Sequence, residues 1–143
     1  MARKSTSRLP REVFISHSSR NQKFVERLVD VLRDHGVPTW VSSRSLIGAQ
    51  QWHDEIGAAL SRCDWFAVVL SKDAVRSEWV KRELVRALRD SRYDGRIIPL
   101  LNRQCDLDKL SWTLRQMQIV DFVADEQSGF RDLLRIWGIG LKP

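Results

Sequence analysis

The chain is predicted to adopt a three-layer α/β fold, a five-stranded parallel sheet in the order 2-1-3-4-5 with helices on both faces. Three observations predict it. Short apolar runs alternate with amphipathic stretches of helical period, a pattern that calls for parallel strands joined by crossover connections. The most continuous apolar run, Asp64 to Leu70, suits a central strand covered on both sides. The run from Val37 to Val41 contains Pro38, which is awkward in a central strand and tolerable at an edge. At 143 residues, one such domain can bury a real core without staples.

The elements follow in order. Glu12 to Ser16 is the first strand. Phe24, Leu28, Val31 and Leu32 recur at helical spacing and Gly36 is the stop signal. Val37 to Val41 is the second strand, followed by a polar loop from Ser42 to Gln50 that carries Gly48. Ile56, Ala59 and Leu60 mark a second helix, and Asp64 to Leu70 the third strand. Val80, Leu84 and Leu88 lie on the core face of a third helix. Ile97 to Leu101 is a fourth strand and Met117 to Phe122 a weaker fifth. Phe130, Leu133, Leu134 and Trp137 close the chain with a helix. This is the flavodoxin-like arrangement, in which ligands bind outside the carboxyl ends of the strands where the strand order reverses. The loops at that point are Ser16–Asn21, Ser42–Gln51 and Ser71–Ser77.

Composition excludes several classes. The formal net charge is +6, but Arg3, Lys4, Arg8 and Arg11 supply four of those charges within a stretch that holds no acid. Residues 1–10 therefore read as a basic, flexible leader, and the remaining surface carries too little excess charge to suggest nucleic acid as the partner. Cys63 and Cys105 form no metal or redox pattern, so a reducing cytoplasm is the expected compartment. No apolar run has the length of a membrane span. His17, His35 and His53 have no ligand spacing, and no metal is expected. No glycine-rich phosphate loop is present; Gly138 and Gly140 stand at the far C-terminus. A phosphoacceptor switch of the same topology would need acids after the first strand and an aspartate ending the third, where this chain has Ser16-His17-Ser18-Ser19 and Ser71, with Asp73 two residues late.

The segment Ser77-Glu78-Trp79-Val80-Lys81-Arg82-Glu83-Leu84 stands beside the expected crevice. On a helix, Trp79 and Glu83 lie one turn apart on one face. An aromatic plane beside a carboxylate suits a flat, cationic leaving group on a sugar. A helix with its tryptophan packed at the core edge and its glutamate in solvent satisfies the same pattern.

Phe14-Ile15-Ser16-His17-Ser18 resembles the opening motif of Toll/interleukin-1 receptor (TIR) domains. Gly36 to Val41, with Leu46 and Gly48 following, resembles the family's second strand and its BB loop. Val68-Val69-Leu70-Ser71 and then Ser77-x-Trp79-x-x-x-Glu83-Leu84 are similar to its third strand and the helix after it. Ile98-Pro99-Leu100 and Asp121-Phe122 resemble the late landmarks. The likeness covers roughly residues 11–137 and is closer to bacterial members, with 11–143 as the TIR domain.

The resemblance implies cleavage of NAD⁺ at the nicotinamide–ribose bond, giving nicotinamide and ADP-ribose or a cyclised product, in a bacterial defence or signalling setting. NAD⁺ is then the substrate, and no cofactor is implied. Glu83 takes the place of the family's catalytic glutamate and Trp79 that of its helix tryptophan. Phe14, Ser16 and the Ser18–Arg20 loop would line the other wall, and Arg44 would approach the pyrophosphate. Residues Ser43, Ser45, Leu46, Ile47 and Gly48 would form the assembly surface through which copies of the domain activate one another. A regulatory domain or partner protein is also implied. The other function the resemblance allows is a non-catalytic adaptor that makes homotypic contacts. One departure stands out: Ser42-Ser43 occupies the place where family members often carry an acid.

Overall fold

The computed structural model describes residues 9–42 and 49–143, apart from the side chains of residues 49–52. Arg44 and the expected assembly residues Ser43, Ser45, Leu46, Ile47 and Gly48 lie outside the described residues, as does most of the basic leader.

Five strands form one sheet in the order β2-β1-β3-β4-β5. They are β1 (Val13–Ser16), β2 (Thr39–Val41), β3 (Trp65–Leu70), β4 (Ile97–Leu101) and β5 (Val120–Asp121), and every neighbouring pair is parallel. Among the described residues four α-helices flank them: α1 (Gln22–Asp34), α2 (Ala49–Arg62), α3 (Glu78–Leu88) and α4 (Glu126–Ile136). The predicted order and fold class are those observed. The second strand lies at the edge, as its proline requires, and the Pro38 carbonyl still accepts from the amide of Val13 at 2.9 Å.

The period of two along each strand divides the core into two halves. Val13, Ile15, Ala67, Val69, Ile98 and Leu100 face α1 and α4, where Phe24, Leu28, Phe130 and Leu134 meet them. Phe14, Phe66, Val68 and Leu70 face α2 and α3, where Ile56, Leu60, Val80, Leu84 and Ala87 meet them. The same alternation, carried to the strand ends, decides where the polar residues of the carboxyl edge point.

Helix α1 stops where the sequence predicts. Gly36 has φ +79°, a conformation that side chains resist. Its amide donates to the Arg33 carbonyl at 3.0 Å and that of Val37 to Leu32 at 2.9 Å, a Schellman closure of the helix end. The fifth strand is shorter than the predicted Met117–Phe122. Between β4 and β5 the chain runs through 3₁₀ turns at Leu107–Lys109 and Trp112–Gln116 rather than an α-helix.

In α4, Gly129 makes room for an aromatic cluster. A Cβ there would stand 2.3 Å from the Phe122 ring, which packs edge-on to both Phe24 and Phe130. Gly129→Ala gains helix propensity of at most about 1 kcal/mol but forces this ring out of its packing at a cost of about 1–3 kcal/mol. Thermal unfolding of the variant is expected to show a lower midpoint; an unchanged or higher one would contradict the packing described.

Candidate functional site

Three strand ends and one helix build the site. On β1, Ser16 shares the face of Phe14 and so points toward α3; Ser42, directly after β2, shares the face of Trp40 and points the same way. Helix α3 begins at Ser77, whose hydroxyl accepts from the amide of Val80 at 3.1 Å. Its buried stripe is Val80, Glu83, Leu84 and Ala87. A carboxylate thus occupies a core position, and its charge needs partners there.

Both serines supply them. Ser16 Oγ donates to Glu83 Oε1 at 2.6 Å, and Ser42 Oγ donates to Glu83 Oε2. The indole Nε1–H of Trp79 donates to Ser42 Oγ at 3.0 Å, so the chain of bonds runs from Trp79 through Ser42 to the carboxylate. Glu83 is 1% exposed. Burial pushes its carboxyl up to about 7, with the hydrogen bonds from Ser16 and Ser42 pulling in the opposite direction. The group therefore titrates in the physiological range, the condition in which a carboxyl can serve as an acid–base or electrostatic device.

Above this carboxylate lies a cavity of about 510 Å³, walled by His17, Ser18, Arg20, Ser42, Arg76 and Trp79 among others. Ser18 caps the turn that follows, accepting from the amide of Arg20 at 3.2 Å. His17 is 7% exposed, and burial lowers its pKa, favouring the neutral imidazole. Its Nδ1 is buried with no hydrogen-bond partner among the described residues.

The candidate residues separate into three groups. Ser18, Arg20 and Trp79 stand on the cavity wall. Glu83 and Ser16 are buried beneath it, behind Ser42 and Trp79, so Ser16 does not stand on the wall as the resemblance implies. Phe14 does not line a wall. It is fully buried, stacked on Phe66 at 5.1 Å between ring centroids and tilted against Trp40 at 5.0 Å, because its side of β1 is the side that α2 and α3 cover. Arg76 and Ser42 are wall residues that sequence reasoning did not assign. Both lie in the crevice loops Ser42–Gln51 and Ser71–Ser77, but no motif singles out either residue within its loop.

Among the described residues no group of three histidine, cysteine, aspartate or glutamate side chains is placed to hold a metal ion, and no helix is long and apolar enough to cross a membrane. Cys63 is a buried thiol, pushed up to about 12 mainly by burial, and has no part in the site.

Comparison with known proteins bears on this geometry. A family model described as a TIR domain matches residues 13–134. The 2′ cyclic ADP-D-ribose synthase AbTIR of Acinetobacter baumannii is 31% identical over 74 residues, which are 51% of this chain and 28% of that protein, so the match spans well under half of the relative's length. Among solved structures, the TIR domain of the Toll-related receptor TRR-2 from Hydra magnipapillata superposes with a TM-score of 0.70 at 24% identity, covering 86% of this chain and 94% of that one. The TIR domains of the activated Roq1 resistosome superpose with a TM-score of 0.68 at 18% identity, covering 87% and 97%. At these identities the structural likeness speaks for the fold.

Proposed function

The chain belongs to the TIR domain family, and we propose that it cleaves NAD⁺ at the nicotinamide–ribose bond with Glu83 as its catalytic residue. The observation that carries this reading is the carboxylate itself: a glutamate on the buried stripe of α3, held by two serine hydroxyls directly beneath a cavity at the carboxyl edge of the sheet. A glutamate needed only for solubility would not be placed there, since burial penalises its charge. The likeness to a bacterial cyclic ADP-ribose synthase supports the reaction class.

The chemistry follows from the groups present. In NAD⁺ the nicotinamide nitrogen is already cationic, so the C1′–N bond breaks with its electron pair passing to the ring, and neutral nicotinamide leaves without a general acid. The ribose is left oxocarbenium-like, and a carboxylate against its hydroxyls stabilises the developing positive charge. Ser42 Oγ bonds Glu83 Oε2, and in this reading a ribose hydroxyl of the substrate takes its place. Trp79 offers an aromatic face to the pyridinium, and Arg20 and Arg76 are placed to approach the pyrophosphate. Water, or a hydroxyl of the same molecule, then captures C1′ and releases a proton, giving ADP-ribose or a cyclic product.

Self-association through the segment that includes Ser43–Gly48 is proposed to regulate this activity, and the setting to be a cytoplasmic defence or signalling system with a regulatory partner. Concentrated protein incubated with NAD⁺ is expected to release nicotinamide, with specific activity rising as concentration rises. Because the carboxylate is the working form and Glu83 titrates at about 7, the rate is expected to fall about tenfold per pH unit below that point. Absence of nicotinamide release across the whole concentration range would overturn the enzymatic reading and leave the domain as an interaction module.

A further inference from the structure

A second cavity, of about 960 Å³, opens on the opposite side of the sheet's carboxyl edge. Strand alternation separates the two. Ser71, one residue beyond β3, shares the face of Ala67 and Val69 and points toward α1; Asn102, one residue beyond β4, shares the face of Ile98 and Leu100. The turn at Ser19–Gln22 is the common wall of both cavities.

Two features of this cavity point to a ligand. Its rim carries Arg20, Lys23, Lys72 and Arg103, none of which forms an ion pair among the described residues. Arg27, also on the rim, is held by Glu126 through two bonds of 2.8 Å. The acids near these cations are Asp73 and Glu126, the latter already held by Arg27 and also attracting Arg103, so positive charge stays in excess at the rim. The floor adds an independent observation. Asn21 and Asn102 are 9% and 7% exposed. Ser71 Oγ accepts from the amide of Ala74 at 3.0 Å and donates to Asn21 Oδ1 at 2.7 Å, which fixes the Asn21 carboxamide and turns its Nδ2 hydrogens away from Ser71. That nitrogen has no acceptor among the described residues, and the Asn102 carboxamide makes no hydrogen bond at all among them. Both carboxamides thus offer amide donors to the cavity beneath the cationic rim, where an acceptor-rich, negatively charged group would pair with them.

We propose that this second cavity binds a phosphate-bearing anion of the pyrophosphate class, with its oxygens accepting from Asn21 Nδ2 and Asn102 Nδ2 below and from Arg20, Lys23, Lys72 and Arg103 around the rim. Arginine and lysine donors to phosphate oxygens are the strong, charge-assisted kind. The cavity has the size of a small-molecule site rather than of a surface stripe. The anion is either part of the dinucleotide whose nicotinamide end lies over Glu83, reaching past the Ser19–Gln22 turn, or a separate phosphorylated metabolite that acts on the neighbouring site.

The test is calorimetric titration of the whole chain with inorganic pyrophosphate. Saturable one-to-one binding that weakens with added salt is expected. Lys72→Ala combined with Arg103→Ala removes two exposed side chains, and Asn102→Asp places a negative charge under the anion without enlarging the residue. Each variant is expected to bind at least about tenfold more weakly at an unchanged melting temperature. Lack of saturable binding, or the same affinity in the variants, would overturn the proposal. This measurement needs no turnover, so it stands or falls independently of the NAD⁺ reading. Where nicotinamide release is measurable, pyrophosphate that raises KM at constant kcat identifies the site as the substrate's own phosphate pocket. A changed kcat at constant KM identifies a separate effector, and both results support the site.

Discussion

Glu83→Gln is expected to lower nicotinamide release by at least about a hundred- to a thousandfold, the loss seen when a preorganised electrostatic group is removed from a developing charge. The substitution keeps the side-chain volume within the buried stripe of α3, and the remaining amide oxygen can still accept from Ser16 or Ser42. What it removes is the negative charge, so the comparison isolates electrostatics from packing. The fold should not suffer. The Glu83 carboxyl is raised to about 7 by burial, which means the folded state holds its proton more tightly than the unfolded chain does. The sign follows: with both states protonated at low pH there is no penalty, and stability falls as pH climbs from the ordinary carboxylate range through about 7, where the buried group must ionise. Glutamine has no such titration. Melting curves across this range should show wild type losing stability relative to Glu83→Gln as pH rises, while activity assays at pH 8 show the variant inactive. Full turnover by Glu83→Gln would sink the proposed mechanism, whatever its stability.

Much of the architecture was legible because local signals agreed with one another. Gly36 stops α1 as its position announced, and Pro38 marks the edge strand. The residues of the β4–β5 connection did not announce themselves: short 3₁₀ turns such as Trp112–Gln116 are too brief to establish a periodic apolar face. At the candidate site, motif and topology point to Glu83 and Trp79 but not to how deeply Glu83 is buried. Val80, Glu83, Leu84 and Ala87 follow the three-and-four spacing of a core stripe, and this spacing alone places the carboxylate inside rather than on an open wall. The resemblance implies a wall position for Phe14, whereas its pairing with Phe66 across β1 and β3 puts it in the core. The role of Ser42 is a contact across 41 residues, and no periodicity within one element can reveal it.

That contact yields the second large effect. Ser42→Ala leaves Glu83 Oε2 buried without a donor among the described residues, a loss of about 1–3 kcal/mol in stability, and more when the carboxyl is ionised. It also takes an acceptor from the Trp79 indole. The hydrogen bond from Ser42 is one of the two that hold the Glu83 pKa down against burial, so its removal pushes the carboxyl further up. At pH 7 a smaller fraction of the variant then carries the working carboxylate, and nicotinamide release drops. As pH rises beyond the new midpoint the carboxylate forms in the variant too, and the gap to wild type narrows. The measurement is therefore a full pH–rate profile of kcat/KM for both proteins, on samples shown by circular dichroism to be folded throughout. A low-pH limb displaced toward higher pH assigns Ser42 to positioning and tuning Glu83. A uniform loss at every pH, with the midpoint unmoved, would reduce Ser42 to a packing residue and break the link drawn here between the Trp79–Ser42–Glu83 chain and the chemistry.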